Sequence, residues 1–299
     1  MIRNEAKFVK GYINLLMSKN YIIRNMTQEE VENIAVEWAA NEGWNPGLHD
    51  ALSFYAADPN GFFVGMLNDE PISCISAVAY DNSFGFIGFY MVKPAYRGKG
   101  YGLKLWDKAM AYLNTQNIGL DGVIEQQDNY KKSGFTLAYS NIRYEGLAIH
   151  NDQQFADILP ISKVSFADIT NYDAKHFPVP RAQFLEAWLN QEDSLALVAV
   201  DNNTITGYGM IRKCRVGYKI GPLFANNQNV AKQLYLSLSN FAEPKASVFL
   251  DVPDINLAAI EFAESYGMKK VFGTARMYTK SAPNIEIKNV FGVTSFELG

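Results

Sequence analysis

Residues 86–103 read FIGFYMVKPAYRGKGYGL, and this stretch predicts a strand, a glycine-rich turn and the start of a helix in immediate succession. Apolar residues alternate from Ile87 to Met91, and Pro94 ends the run because proline cannot donate a hydrogen bond to a strand ladder. After the turn, apolar residues recur at spacings of three and four over 103–113, which is typical of an amphipathic helix.

The turn itself has the composition of an anion-binding site. Gly98, Gly100 and Gly102 alternate with other residues, and Arg97 and Lys99 add two cations. Glycine permits a positive φ and close backbone approach, so successive N–H groups can point at one anion beside the free donors of the helix start. The spacing matches neither a Walker loop nor a G-x-G-x-x-G dinucleotide fingerprint. A diphosphate ligand is therefore predicted, and the alternative is a solvated basic loop.

The order of residues 97–102, RGKGYG, resembles the R/Q-x-x-G-x-G/A signature of the GCN5-related N-acetyltransferase (GNAT) superfamily. In that family the loop holds the pyrophosphate of acetyl-coenzyme A, so the resemblance implies acetyl-CoA as co-substrate. The residues it assigns to the cofactor are Tyr90, Met91, Val92, Arg97, Gly98, Lys99, Gly100, Tyr101 and Gly102. No His/Cys cluster has the spacing of a metal site, so no metal is expected.

The fold class implied by this resemblance is α+β, with a mixed, mostly antiparallel sheet flanked by helices. The predicted order before the loop is a strand near Tyr21, two helices and three antiparallel strands. Thr27 and Glu30 form a capping-box pattern at the first of these helices. The strand at 118–123 would splay away from the strand before the loop and admit the pantetheine arm of acyl-CoA. Residues 135–146 are interpreted as a closing strand pair.

Acyl transfer from a thioester to an amine needs a base, an oxyanion donor and a proton for the departing thiolate. Residues 130–135, YKKSGF, resemble the family's Y-x-x-x-G-F, which implies Tyr130 as general acid. The alternative for Tyr130 is packing in the core. In this family the oxyanion donor is usually a backbone N–H on the strand before the loop, here within 90–92.

The general base is not evident, because the strand segment 88–90 carries no carboxylate. We interpret Glu42 and Glu125 as the first candidates for a base that acts through water, with Asp81 as a third. Each is also explained as a cap or a solvated charge. In this family the loop between the first two helices covers the acceptor, so Trp44 and Asn45 are expected to help select it.

The second half, 151–299, repeats the element order of a first domain placed at 1–146. Its counterpart of the glycine loop, 225–230, has no glycine and no cation, and Ala263 stands where the first half has Tyr130. This resembles tandem proteins of the family with a degenerate C-terminal domain, and predicts one cofactor per chain. Arg181 is assigned to substrate binding, with a surface or capping charge as the alternative, and a homodimer surface is left open.

The 299-residue chain is 48% hydrophobic and 19% charged, with a net charge of −4, which does not suggest nucleic acid as a partner. It has two cysteines, no run of ~20 apolar residues and no signal-peptide pattern, so a cytoplasmic protein without a membrane segment is expected. A short helical lead is predicted around Phe8, Tyr12, Leu15 and Leu16. The predicted function is transfer of an acetyl group to a primary amine of a small molecule or peptide. The alternative is a non-catalytic acyl-CoA-binding or regulatory module.

Overall fold

A computed structural model describes residues 20–114 and 116–299 of the chain. The helical lead predicted around Phe8, Tyr12, Leu15 and Leu16 lies outside these residues. The elements of the described chain follow the α+β order expected from the sequence, and the two halves repeat that order.

The first half begins with a strand, continues through two helices and three strands, and then reaches the glycine loop. Its elements are β1 (Tyr21–Asn25), α1 (Gln28–Glu30, π-helical Val31–Val36 and Glu37–Asn41 in succession), α2 (Asp50–Ala57), β2 (Phe62–Leu67), β3 (Glu70–Ala79), β4 (Phe84–Val92), α3 (Tyr101–Leu113), β5 (Asn117–Val123), α4 (Gln127–Lys132) and β6 (Thr136–Leu147). The capping box at the start of α1 is confirmed, because Thr27 and Glu30 each accept the other's backbone N–H. The expected strand pair within 135–146 is wrong, since β6 is one continuous strand.

The second half has the same order with one additional strand at its end. Its elements are β7 (Ile158–Pro160), α5 (Phe166–Asp173), α6 (Ala182–Trp188), β8 (Ser194–Asp201), β9 (Thr204–Lys213), β10 (Tyr218–Ala225), α7 (Gln228–Ser239), β11 (Ser247–Pro253), α8 (Leu257–Ser265), β12 (Lys269–Tyr278) and β13 (Val290–Gly292). Residues 172–188 are divided between the end of α5 and α6, because Pro178 and Pro180 lie between the two helices and cannot continue a helix.

The strands of the described residues form one sheet that runs through both halves, in the order β1-β2-β3-β4-β5-β12-β6-β11-β10-β9-β8-β7, with β13 beside β10. Its pairs are antiparallel except for β4–β5 and β10–β11. The prediction of mixed, mostly antiparallel sheets flanked by helices is therefore confirmed.

The two halves exchange their last long strands at the centre of this sheet. β12 of the second half pairs with β5 of the first, and β6 of the first half pairs with β11 of the second. β6 and β12 also pair with each other over most of their lengths. Each half therefore completes its part of the sheet with a strand from the other half.

The parallel strands β4 and β5 diverge part of the way along their length, as predicted. Their pairing covers Phe84–Ile87 on β4 and stops there. Two residues later, Phe89 adopts a positive φ of 49°, and the pairing of β4 with β3 shifts register at this point. This bulge bends β4 away from β5, and we name the resulting gap the first wedge.

The second half has an equivalent gap between β10 and β11, which we name the second wedge, and β13 fills it. β10 and β11 pair only through residues 218–220 and 248–250, and β13 then pairs antiparallel with Leu223 and Phe224. The Asn256 side chain, which is buried, donates to three carbonyls in and before β13. The second wedge is therefore occupied by the chain's own backbone.

Beyond β13, residues 293–299, which we call the C-terminal segment, return to the first half and are buried throughout. The Tyr80 hydroxyl donates to the Leu298 carbonyl at 2.8 Å, and Arg181 donates to the carbonyl of Gly299. The helices of the two halves also share a core, in which Phe54 of α2 stacks on Trp188 of α6 with ring centroids 5.8 Å apart. The halves thus bury apolar surface against each other.

Candidate active site

The first wedge opens into a cavity of about 880 Å³. It is lined by β4 from Ile87 to Val92, by the glycine loop and the start of α3, by β5 and α4, and by residues of the second half. One end of the cavity is the glycine loop, and another is a group of aromatic residues. This volume lies within the range typical of small-molecule sites.

The glycine loop, residues 97–102, has the open backbone expected of an anion site. Gly98 and Gly100 have φ values of 72° and 81°, and no atom lies within 4 Å of where a Cβ would be at either position. Helix α3 starts at Tyr101 with no side-chain cap, so its first backbone N–H groups are available to a ligand. A Cβ at Gly102 would lie 2.7 Å from the Tyr90 hydroxyl. The start of α3 therefore packs too closely on β4 for a side chain larger than that of glycine at position 102.

The two cations of the loop point in different directions. Arg97 Nε donates to the Val92 carbonyl, and its guanidinium pairs with the carboxylate of Glu42 at 2.9 Å. Both partners of that pair are about half exposed, so it contributes little to stability. Lys99 donates to the carbonyl of Ala95, just before the loop. The Arg97–Glu42 pair brings the glycine loop next to the end of α1.

The pairing of β4 with each of its neighbouring strands is interrupted at or near the bulge. The register with β3 skips Phe89 and Tyr90, and β5 has diverged after Ile87. Tyr90, Met91 and Val92 all line the cavity. The backbone N–H groups at the bulge are therefore placed to donate to a carbonyl oxygen in the first wedge.

Tyr130 lies on α4 and lines the cavity opposite β4. Its ring packs 5.7 Å from that of Trp106 and against Gly122, where a Cβ would lie 2.2 Å from the tyrosine ring. Burial, with a smaller effect of Tyr90, raises the pKa of Tyr130 to about 12. The side chain is therefore a protonated phenol at neutral pH, and it can act as a proton donor.

The remaining sequence-predicted residues are divided between the cavity and other parts of the structure. Glu42 and Trp44 line the cavity, whereas Glu125 is exposed and outside its lining. Asp81 accepts three hydrogen bonds from Ser83 and Phe84 and closes the β3–β4 turn. Their catalytic and binding roles stay predictions.

Asn45 and Arg181 are both engaged with other parts of the protein. The Asn45 amide accepts from and donates to the backbone of Val216 at 2.9 Å each, which ties the loop before α2 to the β9–β10 hairpin. Arg181 is buried away from the cavity and makes a two-pronged pair with Asp173. Asn45 therefore positions the loop that carries Trp44, and Arg181 acts as a buried structural cation.

The aromatic end of the cavity is arranged around one buried arginine from β6. The Arg143 guanidinium lies 4.7 Å from the Phe296 ring and 5.8 Å from that of Phe272, and it donates to the Trp44 carbonyl at 2.8 Å. Its charge is balanced by Asp251, which accepts two hydrogen bonds from it. Sequence reasoning missed Phe272 and Phe296, because both come from the second half.

Two acidic residues of the cavity were also missed, and they differ in their bonding. Asp121 on β5 is held by Arg276 and Asn141, so its carboxylate is already neutralised. Glu297 in the C-terminal segment lines the cavity with no hydrogen bond to its carboxylate among the described residues. A signal for Glu297 existed in the sequence, since it is the one charged residue in the run VFGVTSFEL over 290–298.

Within residues 20–114 and 116–299, no group of three or more His, Cys, Asp or Glu side chains is placed to hold a metal ion. No helix in these ranges has the length and hydropathy needed to cross a membrane.

Known proteins resemble both halves of the chain. A model of the acetyltransferase (GNAT) family matches residues 26–135, and a model of the acetyltransferase (GNAT) domain matches residues 169–292. Holothin acyltransferase of Pseudoalteromonas sp. (strain SANK 73390) is 35% identical over 268 residues, which are 89% of this chain and 90% of that protein. The first matched range contains the glycine loop and Tyr130.

Solved structures show the same overall arrangement. A protein from Pyrococcus horikoshii superposes with a TM-score of 0.79 at 24% identity, covering 93% of this chain and 96% of that one. A tandem GNAT protein from the clavulanic acid biosynthesis pathway superposes with a TM-score of 0.60 at 11% identity, covering 88% and 100% of the two chains. These similarities support the tandem fold.

Proposed function

Because this chain belongs to the GCN5-related N-acetyltransferase superfamily and is an acyltransferase, we propose that it transfers an acetyl group from acetyl-CoA to a primary amine. The observation that carries the proposal is the first wedge, a gap between parallel strands that leads to an open glycine loop. The second wedge is filled by β13, so one acyl-CoA would bind per chain.

The residues present fit coenzyme A as the co-substrate. The glycine loop offers free backbone donors at a helix start to a pyrophosphate, and the side chains of the first wedge are largely apolar, which suits a pantetheine arm. The backbone N–H groups at the bulge, near Phe89 and Tyr90, would polarise the thioester carbonyl. Tyr130 would protonate the departing thiolate.

In the proposed reaction the amine nitrogen attacks the thioester carbonyl within a ternary complex. A C–N bond forms, the C–S bond breaks, and the thiolate leaves as the thiol of coenzyme A. The acceptor would enter at the aromatic end, between Trp44, Phe272 and Phe296. The similar protein from Pseudoalteromonas is named holothin acyltransferase, which supports an acceptor related to holothin.

The experiment that tests this function is a thiol-release assay with acetyl-CoA and a panel of amines, with product mass as the second readout. We expect loss of thioester and an increase of one acetyl group on at least one small primary amine. A protein that binds coenzyme A but acetylates no member of a wide panel would instead be the acyl-CoA-binding module considered above.

Tyr130→Phe should lower kcat by about 100-fold while leaving the Kd for CoA unchanged, because the ring stays and only the proton donor is lost. With a pKa of about 12, the phenol stays protonated across the assay range, so Tyr130 adds no falling limb to the wild-type pH profile below about pH 11. The measurement is kcat against pH for both proteins.

The control for this prediction is Tyr266→Phe, a hydroxyl deletion at the end of α8 that does not line the cavity. It should match the wild type in rate. Equal rates for Tyr130→Phe and the wild type would show that Tyr130 only packs against Trp106.

A further inference from the structure

Gly88 on β4 makes room for a residue of the C-terminal segment. A Cβ at this position would lie 2.0 Å from the backbone carbonyl oxygen of Glu297 and 3.1 Å from Ser76 Oγ. Any larger residue at 88 would therefore displace the C-terminal segment. This part of β4 carries no carboxylate of its own, and Glu297 lies beside it.

The carboxylate of Glu297 faces the cavity. The residue is 4% exposed and lines the cavity, yet no hydrogen bond within the described chain uses its carboxylate. Its oxygens are not among the fully buried polar atoms that lack a partner. They must therefore reach the open space of the cavity rather than the surrounding core.

The charges around Glu297 come from three neighbouring strands. Arg143 of β6, Arg212 of β9 and Lys219 of β10 all interact electrostatically with it. Asp251 and Asp50 pair directly with the two arginines, which leaves Lys219, whose ammonium donates to the Trp44 carbonyl. The Glu297 carboxylate therefore lies near three basic side chains, two of which already have a carboxylate partner.

The other two carboxylates that line the cavity in the described residues are already bound. Glu42 is paired with Arg97, and Asp121 is held by Arg276 and Asn141. Glu297 also follows Phe296, whose ring stacks on Arg143 at the aromatic end. Among the described residues it is thus the cavity carboxylate without a direct hydrogen bond or ion pair, and its backbone lies beside β4, where the thioester carbonyl would bind.

We propose, on the basis of the function proposed above, that Glu297 is the general base that takes a proton from the ammonium of the acceptor. The N–H bond of the ammonium breaks and an O–H bond forms on Glu297, which leaves a neutral amine with its lone pair free. That amine forms the C–N bond as the C–S bond breaks, and its second N–H proton leaves the nitrogen to replace the proton that Tyr130 gives to the thiolate. The proton on Glu297 returns to water after the amide leaves.

The test is Glu297→Gln, assayed with an aliphatic amine that the wild type acetylates. We expect kcat/KM at pH 7 to fall by about 100-fold or more, with the Kd for CoA close to the wild-type value. The deficit should shrink as the pH rises toward the pKa of the amine, because the neutral amine is then supplied by solution. Glu297→Asp should retain part of the activity.

The matched control is Glu261→Gln, which removes an exposed carboxylate on α8 outside the cavity. It should behave as the wild type does. A Glu297→Gln deficit that stays constant with pH, or the absence of any deficit, would overturn the role of Glu297. If the wild type itself acetylates no amine, the proposed function fails, and that outcome is distinct from failure of the base assignment.

Discussion

Gly100→Glu should lower the affinity for CoA by at least about 100-fold, or ~2.7 kcal/mol. Gly100 has a φ of 81° and caps a helix whose first N–H groups have no partner, so a phosphate is favoured there. A carboxylate at this position would repel the pyrophosphate, and the left-handed backbone would be strained for any residue other than glycine. The measurement is isothermal titration calorimetry with CoA.

A second glycine of the same conformation gives a matched control. Gly267, after α8 in the second half, has a φ of 72° and no atom within 4 Å of where a Cβ would be. Gly267→Glu therefore introduces the same charge and similar strain away from the cavity, and CoA affinity should not change. If Gly100→Glu binds CoA as the wild type does, the loop does not hold the pyrophosphate.

Arg143→Met should destabilise the protein by about 3–5 kcal/mol, because it leaves the Asp251 carboxylate buried without its partner. The two residues lie opposite each other on β6 and β11, where a strand from the first half enters the sheet of the second. Loss of Arg143 also removes a donor to the Trp44 carbonyl. Chemical denaturation measures the change in free energy of unfolding.

The control for this prediction is Arg215→Met, which breaks the exposed pair with Glu37 and should cost at most about 1 kcal/mol. The double variant Arg143→Met with Asp251→Leu should recover much of the stability, because no charge is then left buried alone. Similar costs for the two single variants would show that the buried pair does not hold the exchanged strands together.

The parts of the site that were predictable from sequence are local in the chain. The strand, glycine turn and helix of 86–103 form within one continuous stretch, so alternation, glycine spacing and helical periodicity are enough to place them. The capping box at Thr27 and the position of Tyr130 follow from similar short-range patterns. The element order of the second half was also readable as a repeat of the first.

The parts that were not predictable depend on pairing between distant residues. The sequences of β6 and β12 predict half-buried strands. No local sequence feature predicts that β6 pairs with β11 of the second half, or that β12 pairs with β5 of the first. The filling of the second wedge by β13 depends on Asn256, whose side chain binds carbonyls more than 30 residues away. Arg181 was assigned to substrate, but its partner Asp173 is revealed only by the tertiary fold.

Glu297 has a local feature in the sequence, but its place in the site depends on contact with a distant residue. Glu297 is the one charged residue in the run 290–298, but no local pattern places it beside Gly88, which lies 209 residues earlier in the chain. The glycine at 88 and the glutamate at 297 are explained together only when the C-terminal segment lies on β4. A site formed by residues so far apart in the chain can be recognised only in the folded structure.

A crystal structure of the protein with bound CoA tests the central claim most directly. We predict one CoA per chain, with its pyrophosphate at residues 97–102, its pantetheine arm between β4 and β5, and its sulfur within reach of both Tyr130 and Glu297. Density for CoA between β10 and β11 with β13 displaced, or a sulfur directed away from Glu297, would contradict this account.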